Sequence, residues 1–195
     1  MKRIFDIGAS FFGLLLLSPL LFILALAIAL TSRGGAFYRQ VRVGKNAIEF
    51  DLWKFRTMRV GSDKEIQLTI GERDPRITNI GVFLRKFKLD ELPQLVNVFS
   101  GQMSIVGPRP EVPEYVALYS QEQCKVLSVR PGLTDPASIE YINENELLAA
   151  STDPEKTYKE EVMPAKLKMN LAYLEKRNFI SDLGLIFRTI AKIFN

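Results

Sequence analysis

The stretch Ile7–Ser32, IGASFFGLLLLSPLLFILALAIALTS, runs for 26 residues without one charged side chain. About 20 apolar residues suffice to cross a bilayer as a helix, so one end of this chain is built for hydrocarbon. Three arrangements compete for it. A secretory signal peptide would use Lys2 and Arg3 as its basic start and Ala25-Leu26-Ala27 as its cleavage site. The run is long for that role, and Asp6 interrupts the basic region. A straight span fits the length but not the flanks. Lys2 and Arg3 precede the run, and Arg33, Arg39 and Arg42 follow it, whereas Lys and Arg collect on the cytoplasmic side. A re-entrant helix reconciles the two ends. Pro19 has no amide hydrogen and clashes with the carbonyl four residues earlier, that of Leu15. The neighbouring Ser18 hydroxyl can help re-satisfy the backbone. A helix broken at Ser18-Pro19 can leave the membrane on the side it entered. The residues favour re-entry, although a kinked span accounts for the same proline. The expected organisation is an anchor over residues 1–32 and a domain over residues 33–195.

Beyond the anchor, Val41 and Val43 alternate with charged residues, and Ile48, Phe50 and Leu52 alternate with Glu49 and Asp51. With Gly44-Lys45-Asn46 between them, residues 37–55 read as a β-hairpin. Residues 61–79 are polar and contain Asp74-Pro75, the pattern of a surface loop. A short helix is expected over residues 81–87. A cleaner one follows Asp90, with Leu92, Leu95, Val96 and Phe99 forming one apolar stripe and Ser100-Gly101 ending it. Further helices are expected from Glu114 to Val129 and from Pro164, as a first-turn proline, to Arg177. The last segment carries an apolar face of Phe179, Ile180, Leu183, Ile186, Phe187, Ile190, Ile193 and Phe194. That face suits packing on a core or lying in a membrane interface. The fold class is therefore α+β, mainly α: an N-terminal membrane helix, a small β-hairpin, and a helical domain with amphipathic interface helices.

Composition narrows the chemistry. The 195 residues suffice for one domain with a core, and the net charge of +4 suits anionic partners such as nucleotides or lipid head groups. The chain has no histidine and one cysteine. This removes the common nucleophile–base pairs, the usual zinc ligands and any intramolecular disulfide. Cys124 reads as structural. If the protein is an enzyme, carboxylates carry the chemistry. The candidates are Asp90 and Glu91, in Lys86-Phe87-Lys88-Leu89-Asp90-Glu91-Leu92-Pro93. They also fit a plainer role, Asp90 as a helix N-cap with acidic and proline residues in the first turn. Arg109 is held between Pro108 and Pro110, a fixed starting point for a fork that grips phosphate. Arg85, with Lys86 and Lys88, and Lys54 with Arg56 supply further cations. Carboxylates for a hard divalent cation such as Mg²⁺ and arginines for phosphate oxygens are what phosphoryl transfer needs. The residues alone lead to a membrane-bound, metal-dependent phosphoryl transferase.

The same residues carry a resemblance. Lys2-Arg3-Ile4-Phe5-Asp6, Leu17-Ser18-Pro19, Phe37-Tyr38-Arg39-Gln40, Arg42-Val43-Gly44, Lys54-Phe55-Arg56-Thr57-Met58, Asp74-Pro75-Arg76-Ile77-Thr78, Leu84-Arg85, Asp90-Glu91-Leu92-Pro93-Gln94, Asn97-Val98 and the run from Met103 to Pro110 occur in an order that resembles the bacterial sugar transferases of the small monotopic phosphoglycosyl transferase type. The likeness covers nearly all of the chain to Thr134. It implies transfer of a sugar-1-phosphate from a UDP-sugar to polyprenyl phosphate, commonly undecaprenyl phosphate, with UMP as the second product. It implies that Asp90 is the nucleophile of a covalent phosphosugar intermediate, that Glu91 assists, and that Mg²⁺ sits by Asp90. It also implies that Arg85 and Arg109 bind phosphate or organise the site, and that Ser18 and Pro19 break a re-entrant helix. The expected location is the bacterial inner membrane, on phospholipid, with the domain on the cytoplasmic face. A homo-oligomer is compatible with the sequence. No nucleic-acid motif is present.

One departure stands out. Pro131-Gly132-Leu133-Thr134 matches, but Asp135-Pro136-Ala137-Ser138 follows where many relatives carry a glycine, an aromatic or leucine, alanine and glutamine. The sugar is therefore left unassigned. Two other classes remain for test: a carboxylate- and metal-dependent phosphohydrolase of lipid diphosphates, and a membrane-anchored binding module without catalysis.

Overall fold

The computed structural model describes residues 1–62, 68–71 and 74–194. Among them helices dominate, with two small two-stranded sheets. Residues 63–67, 72 and 73 of the expected surface loop lie outside the described residues.

Helix α1 spans Lys2–Thr31 with Pro19 in its interior, about 45 Å at the helical rise. The Ser18 hydroxyl donates to the Leu15 carbonyl at 2.8 Å. That is the carbonyl Pro19 leaves without an amide partner, so the local repair expected from the sequence is present. The burial of α1 is inverted relative to a water-soluble helix. Its buried residues include Asp6 and Ser10, while Leu16 is 80% exposed and Phe22 70% exposed. Both halves pack on the rest of the chain. In the first half, the Asp6 carboxylate accepts from Ser104 Oγ at 2.9 Å and from the Ile105 amide at 3.0 Å. Arg3 donates to the Val98 and Phe99 carbonyls at 2.7 and 2.9 Å, where a cation also meets the negative end of a helix. Lys2 pairs with the buried Asp182, which Tyr173 also engages. In the second half, Leu24 and Ile28 form a core cluster with Phe55 and Leu84.

Strands β1 (Phe37–Val43) and β2 (Glu49–Phe55) pair antiparallel, Phe37 opposite Phe55 and Val43 opposite Glu49. This is the expected hairpin, turned through Asn46 and Ala47 at positive φ. Helix α2 (Asn79–Lys86) is capped by Thr78, whose hydroxyl accepts from the Gly81 amide. Helix α3 (Gln94–Ser100) begins at Pro93 without a side-chain cap. Asp90 is therefore not its N-cap. The buried face of α3 also differs from the expected stripe. Gln94, Leu95, Asn97 and Val98 are buried, whereas Val96 and Phe99 are 42% and 45% exposed. Asn97 is fixed inside by the Trp53 amide and the Asp51 carbonyl, which favours a polar face inward.

Strands β3 (Ser104–Val106) and β4 (Gly132–Thr134) form a short parallel pair that no periodicity announces. It depends on close backbone approach. A Cβ on Gly132 would stand 2.1 Å from the Gly107 nitrogen, and one on Gly107 would stand 2.6 Å from the Arg130 carbonyl. The expected helix from Glu114 to Val129 is not continuous. Helix α4 covers only Pro113–Val116, and a 3₁₀ segment follows at Gln123–Ser128. Between them the Ser120 and Gln123 side chains bond each other's backbone amides, which competes with the helical pattern. Cys124, read as structural, is free and exposed.

The main core cluster joins Val112, Tyr115, Leu148, Tyr158 and Leu167 with their neighbours. It is enclosed by α5 (Pro136–Glu140), α6 (Glu144–Ala149), α7 (Pro154–Thr157) and α8 (Met163–Lys176). Pro164 lies in the first turn of α8, as expected. A π-helical turn at Tyr158–Val162 links α7 to α8. Helix α9 (Phe179–Phe194) buries Asp182 and Leu185 and turns outward Phe179, Ile180, Phe187 and Ile190. The apolar face therefore largely faces away from the core. Ile193 and Phe194 lie outside the residues whose side chains are described. Phe5 meets Phe179 edge-on, and Phe11 lies beside Phe99, so the exposed apolar surfaces of α1, α3 and α9 adjoin.

Candidate active site

Asp90 sits in a 3₁₀ turn, Leu89–Glu91, between α2 and α3. Leu84 on α2 and Leu89 are packed against the second half of α1, which fixes both sides of the turn. Lys88 opens it in the left-handed region at φ 54°, a conformation a lysine adopts only under constraint. The turn buries the Asp90 side chain, 7% exposed. Yet among the described residues the Asp90 carboxylate makes neither a hydrogen bond nor an ion pair. Burial, then the charge of Glu91, pushes its carboxyl above the usual range, against the pull of Lys54, Arg85 and Lys88.

Glu91 is placed differently. Arg109 grips it with two donors, Nη1 to Oε2 at 3.1 Å and Nη2 to Oε1. Burial alone would raise the Glu91 carboxyl. Arg109 and Lys54 outweigh that and hold it well below the usual carboxylate range. Arg109, facing Glu91, is raised. Adjacent acids are thus set apart, one neutralised by a fork and one left open.

The expected cations converge although they are distant in sequence. Asp90, Glu91, Lys54, Arg56, Arg85 and Arg109 line one cleft of about 370 Å³. Among the described residues ten Lys and Arg line it against three carboxylates, so its field attracts phosphate. Arg85 is anchored by the Thr57 and Thr69 hydroxyls at 2.9 and 3.0 Å. Arg56 lines the cleft but spends donors on the Gly35 and Phe37 carbonyls; its fork serves the approach to the hairpin. Ser18 and Pro19 lie on the exposed middle of α1 and are not lining residues.

Sequence reasoning missed three supports. Arg42 lines the cleft while donating to the Pro110 carbonyl and Glu111, so it holds the Arg109 loop. Its motif Arg42-Val43-Gly44 was the available signal. Thr57 fixes Arg85, and its signal was the motif Lys54-Phe55-Arg56-Thr57-Met58. Asp135, from the departing segment, caps α5 through the Ser138 amide and accepts from the Arg109 backbone amide at 3.1 Å. The departure therefore braces the Arg109 loop.

Lys54 gives a test by pH. Burial pushes its ammonium from 10.5 down to about 8. If its charge neutralises phosphate, turnover falls as pH rises through about 8. Stability moves the other way. The unfolded chain binds this proton between about 8 and 10.5 and the folded one does not, so this group's contribution to stability rises across that window. Lys54→Met should remove the alkaline limb of the rate profile that belongs to this group. An unchanged limb would place that titration elsewhere.

No group of three or more His, Cys, Asp or Glu side chains clusters among the described residues. A self-sufficient metal cage is therefore absent there. The open Asp90 carboxylate does fit Mg²⁺ shared with substrate phosphates and water, since this ion commonly uses one or two protein carboxylates beside phosphate.

The family model described as bacterial sugar transferase matches residues 1–195. The UDP-glucose:undecaprenyl-phosphate glucose-1-phosphate transferase of Escherichia coli (strain K12) is 36% identical over 203 aligned positions, covering 100% of this chain and 40% of that protein. The Klebsiella pneumoniae protein of the same name is 39% identical over 99% of this chain and 40% of its own length. The exopolysaccharide production protein ExoY of Rhizobium meliloti (strain 1021) is 32% identical over 98% of this chain and 84% of its length. The chain thus spans about two fifths of the first two relatives and most of the third. Matched from its first described helix to its last, the chain belongs to the bacterial sugar transferase family.

Proposed function

We propose that this protein transfers a sugar-1-phosphate from a UDP-sugar to a polyprenyl phosphate, undecaprenyl phosphate being the expected acceptor. The observation that carries the reading is the buried Asp90 carboxylate, unpaired among the described residues, on the wall of a cation-lined cleft. In this reading an Asp90 oxygen attacks the sugar-bearing phosphorus. A P–O bond forms, the bond to the UMP oxygen breaks, and UMP leaves with that electron pair. An oxygen of the lipid phosphate then attacks the same phosphorus and displaces the Asp90 carboxylate, giving polyprenyl-diphosphate-sugar. Arg85 and Lys54 neutralise the diphosphate, and Arg109 keeps Glu91 ionised and fixed beside Asp90. Mg²⁺, held by Asp90 and substrate phosphates, would supply further charge neutralisation. The test is UMP release by the detergent-purified protein with Mg²⁺, undecaprenyl phosphate and a panel of UDP-sugars. Release from at least one donor, dependent on the acceptor, is expected. Phosphate release from a lipid diphosphate with no use of any UDP-sugar would favour a phosphohydrolase instead.

The anchor, residues 1–32, is read as re-entrant in the inner membrane, with the domain, residues 33–195, on the cytoplasmic face against phospholipid. Support comes from the packing of both halves of α1 on the same body. A straight span would strip Asp6 or Ile28 of its contacts. The exposed apolar surface of α1, α3 and α9 suits a lipid contact. Cys124, free and exposed, reports the side of the domain through a membrane-impermeant maleimide. An epitope at Met1 is expected on that same side. Pro19→Ala should move a fraction of the epitopes to the opposite side. If none move, Pro19 is not what sets the topology.

A further inference from the structure

The cleft has a side pocket of about 190 Å³. Arg42, Thr69, Arg109, Glu144, Asn145 and Lys166 line both spaces, so the pocket opens off the site. Its inner wall includes Tyr115, Tyr119, Tyr158 and Asn170. Some of its polar groups are already committed. Tyr158 donates to Glu111, Arg42 pairs with Glu111 at 2.9 Å, and Lys166 pairs with Glu144 at 2.5 Å. Asn170 is different. It projects from α8, is only 5% exposed, and its Oδ1 has no hydrogen-bond partner among the described residues. A buried amide oxygen without a partner is costly. An amide end also offers a donor beside its acceptor, the pair a sugar hydroxyl answers.

We infer that this side pocket receives the sugar of the donor and that Asn170 is a specificity-determining residue, its amide pairing with a sugar hydroxyl. The inference rests on the UDP-sugar reading above. Connectivity favours sugar over uridine. The pocket shares Arg109 with the site, and Arg109 holds Glu91 beside Asp90. The sugar is bonded to the phosphorus that Asp90 attacks, whereas uridine lies one phosphate further away. Chemistry favours sugar over phosphate, because the cations in the pocket wall are already matched, Arg42 by Glu111, Lys166 by Glu144 and Arg109 by Glu91. The volume is below the range of pockets that take drug-sized ligands, which suits one small ring. Tyrosine side chains and fixed polar groups together are suited to a polyhydroxylated ring.

The experiment compares the parent protein with Asn170→Leu and Asn170→Ser. The readouts are UMP release from UDP-glucose, UDP-galactose and their N-acetylated counterparts, calorimetric binding of UDP, and melting temperature. Asn170→Leu should melt no lower than the parent, because it replaces an unpaired amide by an apolar group of similar size. It should bind UDP as the parent does, lose about ten-fold in kcat/KM for the preferred donor, and discriminate less between donors that differ at one hydroxyl. Should Asn170→Leu fail to fold, Asn170→Ser carries the same expectation. A loss of UDP affinity matching the loss of activity would place uridine in the pocket and overturn the sugar assignment. A working parent whose Asn170 variants keep its kcat/KM and donor preference would overturn the inference alone. A parent that releases UMP from no donor would overturn the functional reading and this inference with it.

Discussion

Asp90→Asn is expected to cut UMP release by at least about 10⁴-fold, the scale of losing an attacking nucleophile, while the protein stays folded and membrane-bound. The unusual part of the expectation is the stability. The native carboxylate is buried and, among the described residues, holds no hydrogen bond. Its carboxyl is pushed up by burial and by Glu91, so the folded state disfavours the charge. Asparagine has nearly the same shape and removes that charge. The variant should melt at the parent temperature or above it, a separation of stability from activity common where a site is strained for function. The same shift sets an acid limb. Turnover should fall, as pH drops, at a higher pH than an ordinary aspartate would give. Retained activity in pure Asp90→Asn would remove the nucleophile assignment, and a lowered melting temperature would show that the carboxylate has a structural partner.

Arg109→Ala should harm both fold and rate. Its guanidinium is the two-pronged partner of Glu91, and the pair is 32% and 18% exposed. Breaking a fully buried pair costs about 3–5 kcal/mol; with this much solvent access about 2–3 kcal/mol is expected. Glu91 then loses the cation that holds its carboxyl down, and burial raises it. Turnover should drop about 10²-fold or more, as when one oriented donor leaves a site. Arg109→Lys should recover little, because a lysine cannot reproduce the fork. The decisive variant is Glu91→Gln with Arg109→Ala. It should regain much of the stability, since no buried charge is stranded, and none of the rate. Recovery of rate would mean that Arg109 serves only to offset Glu91.

The hairpin, the apolar anchor and the first turn of α8 were legible because each depends on residues close together in sequence: the β1/β2 alternation, the uncharged run around Pro19, and Pro164. The cations were legible as types, and three separate segments, around Lys54, Arg85 and Arg109, delivered them to one cleft. What could not be read are the contacts that cross the chain. Nothing local pairs β3 with β4; two glycines 25 positions apart permit it by close approach. Nothing local ties Glu91 to Arg109. The stripe on α3 misled for a physical reason: where one side of a helix adjoins an apolar surrounding, Asn97 goes inside to the hairpin backbone and Phe99 stays outside. Asn170 gave no signal, since an asparagine in a helix reads as a surface residue until its surroundings are known.

The contact between Asp6 and Ser104 spans 98 residues. At the usual pace of synthesis, roughly 5–20 residues per second, Asp6 leaves the ribosome about 5–20 seconds before its partner. In that interval a carboxylate stands at the mouth of an otherwise uncharged segment with nothing to satisfy it. The first half of α1 is therefore held back from its final seat until the chain beyond Ile105 is made. The second half completes with Phe55 and Leu84, well before. Biogenesis of this anchor is thus staged from its far end backward, and a ribosome stalled with Leu84 outside its exit tunnel and Ser104 still within it should leave the N-terminus open to protease while the second half of α1 is already docked.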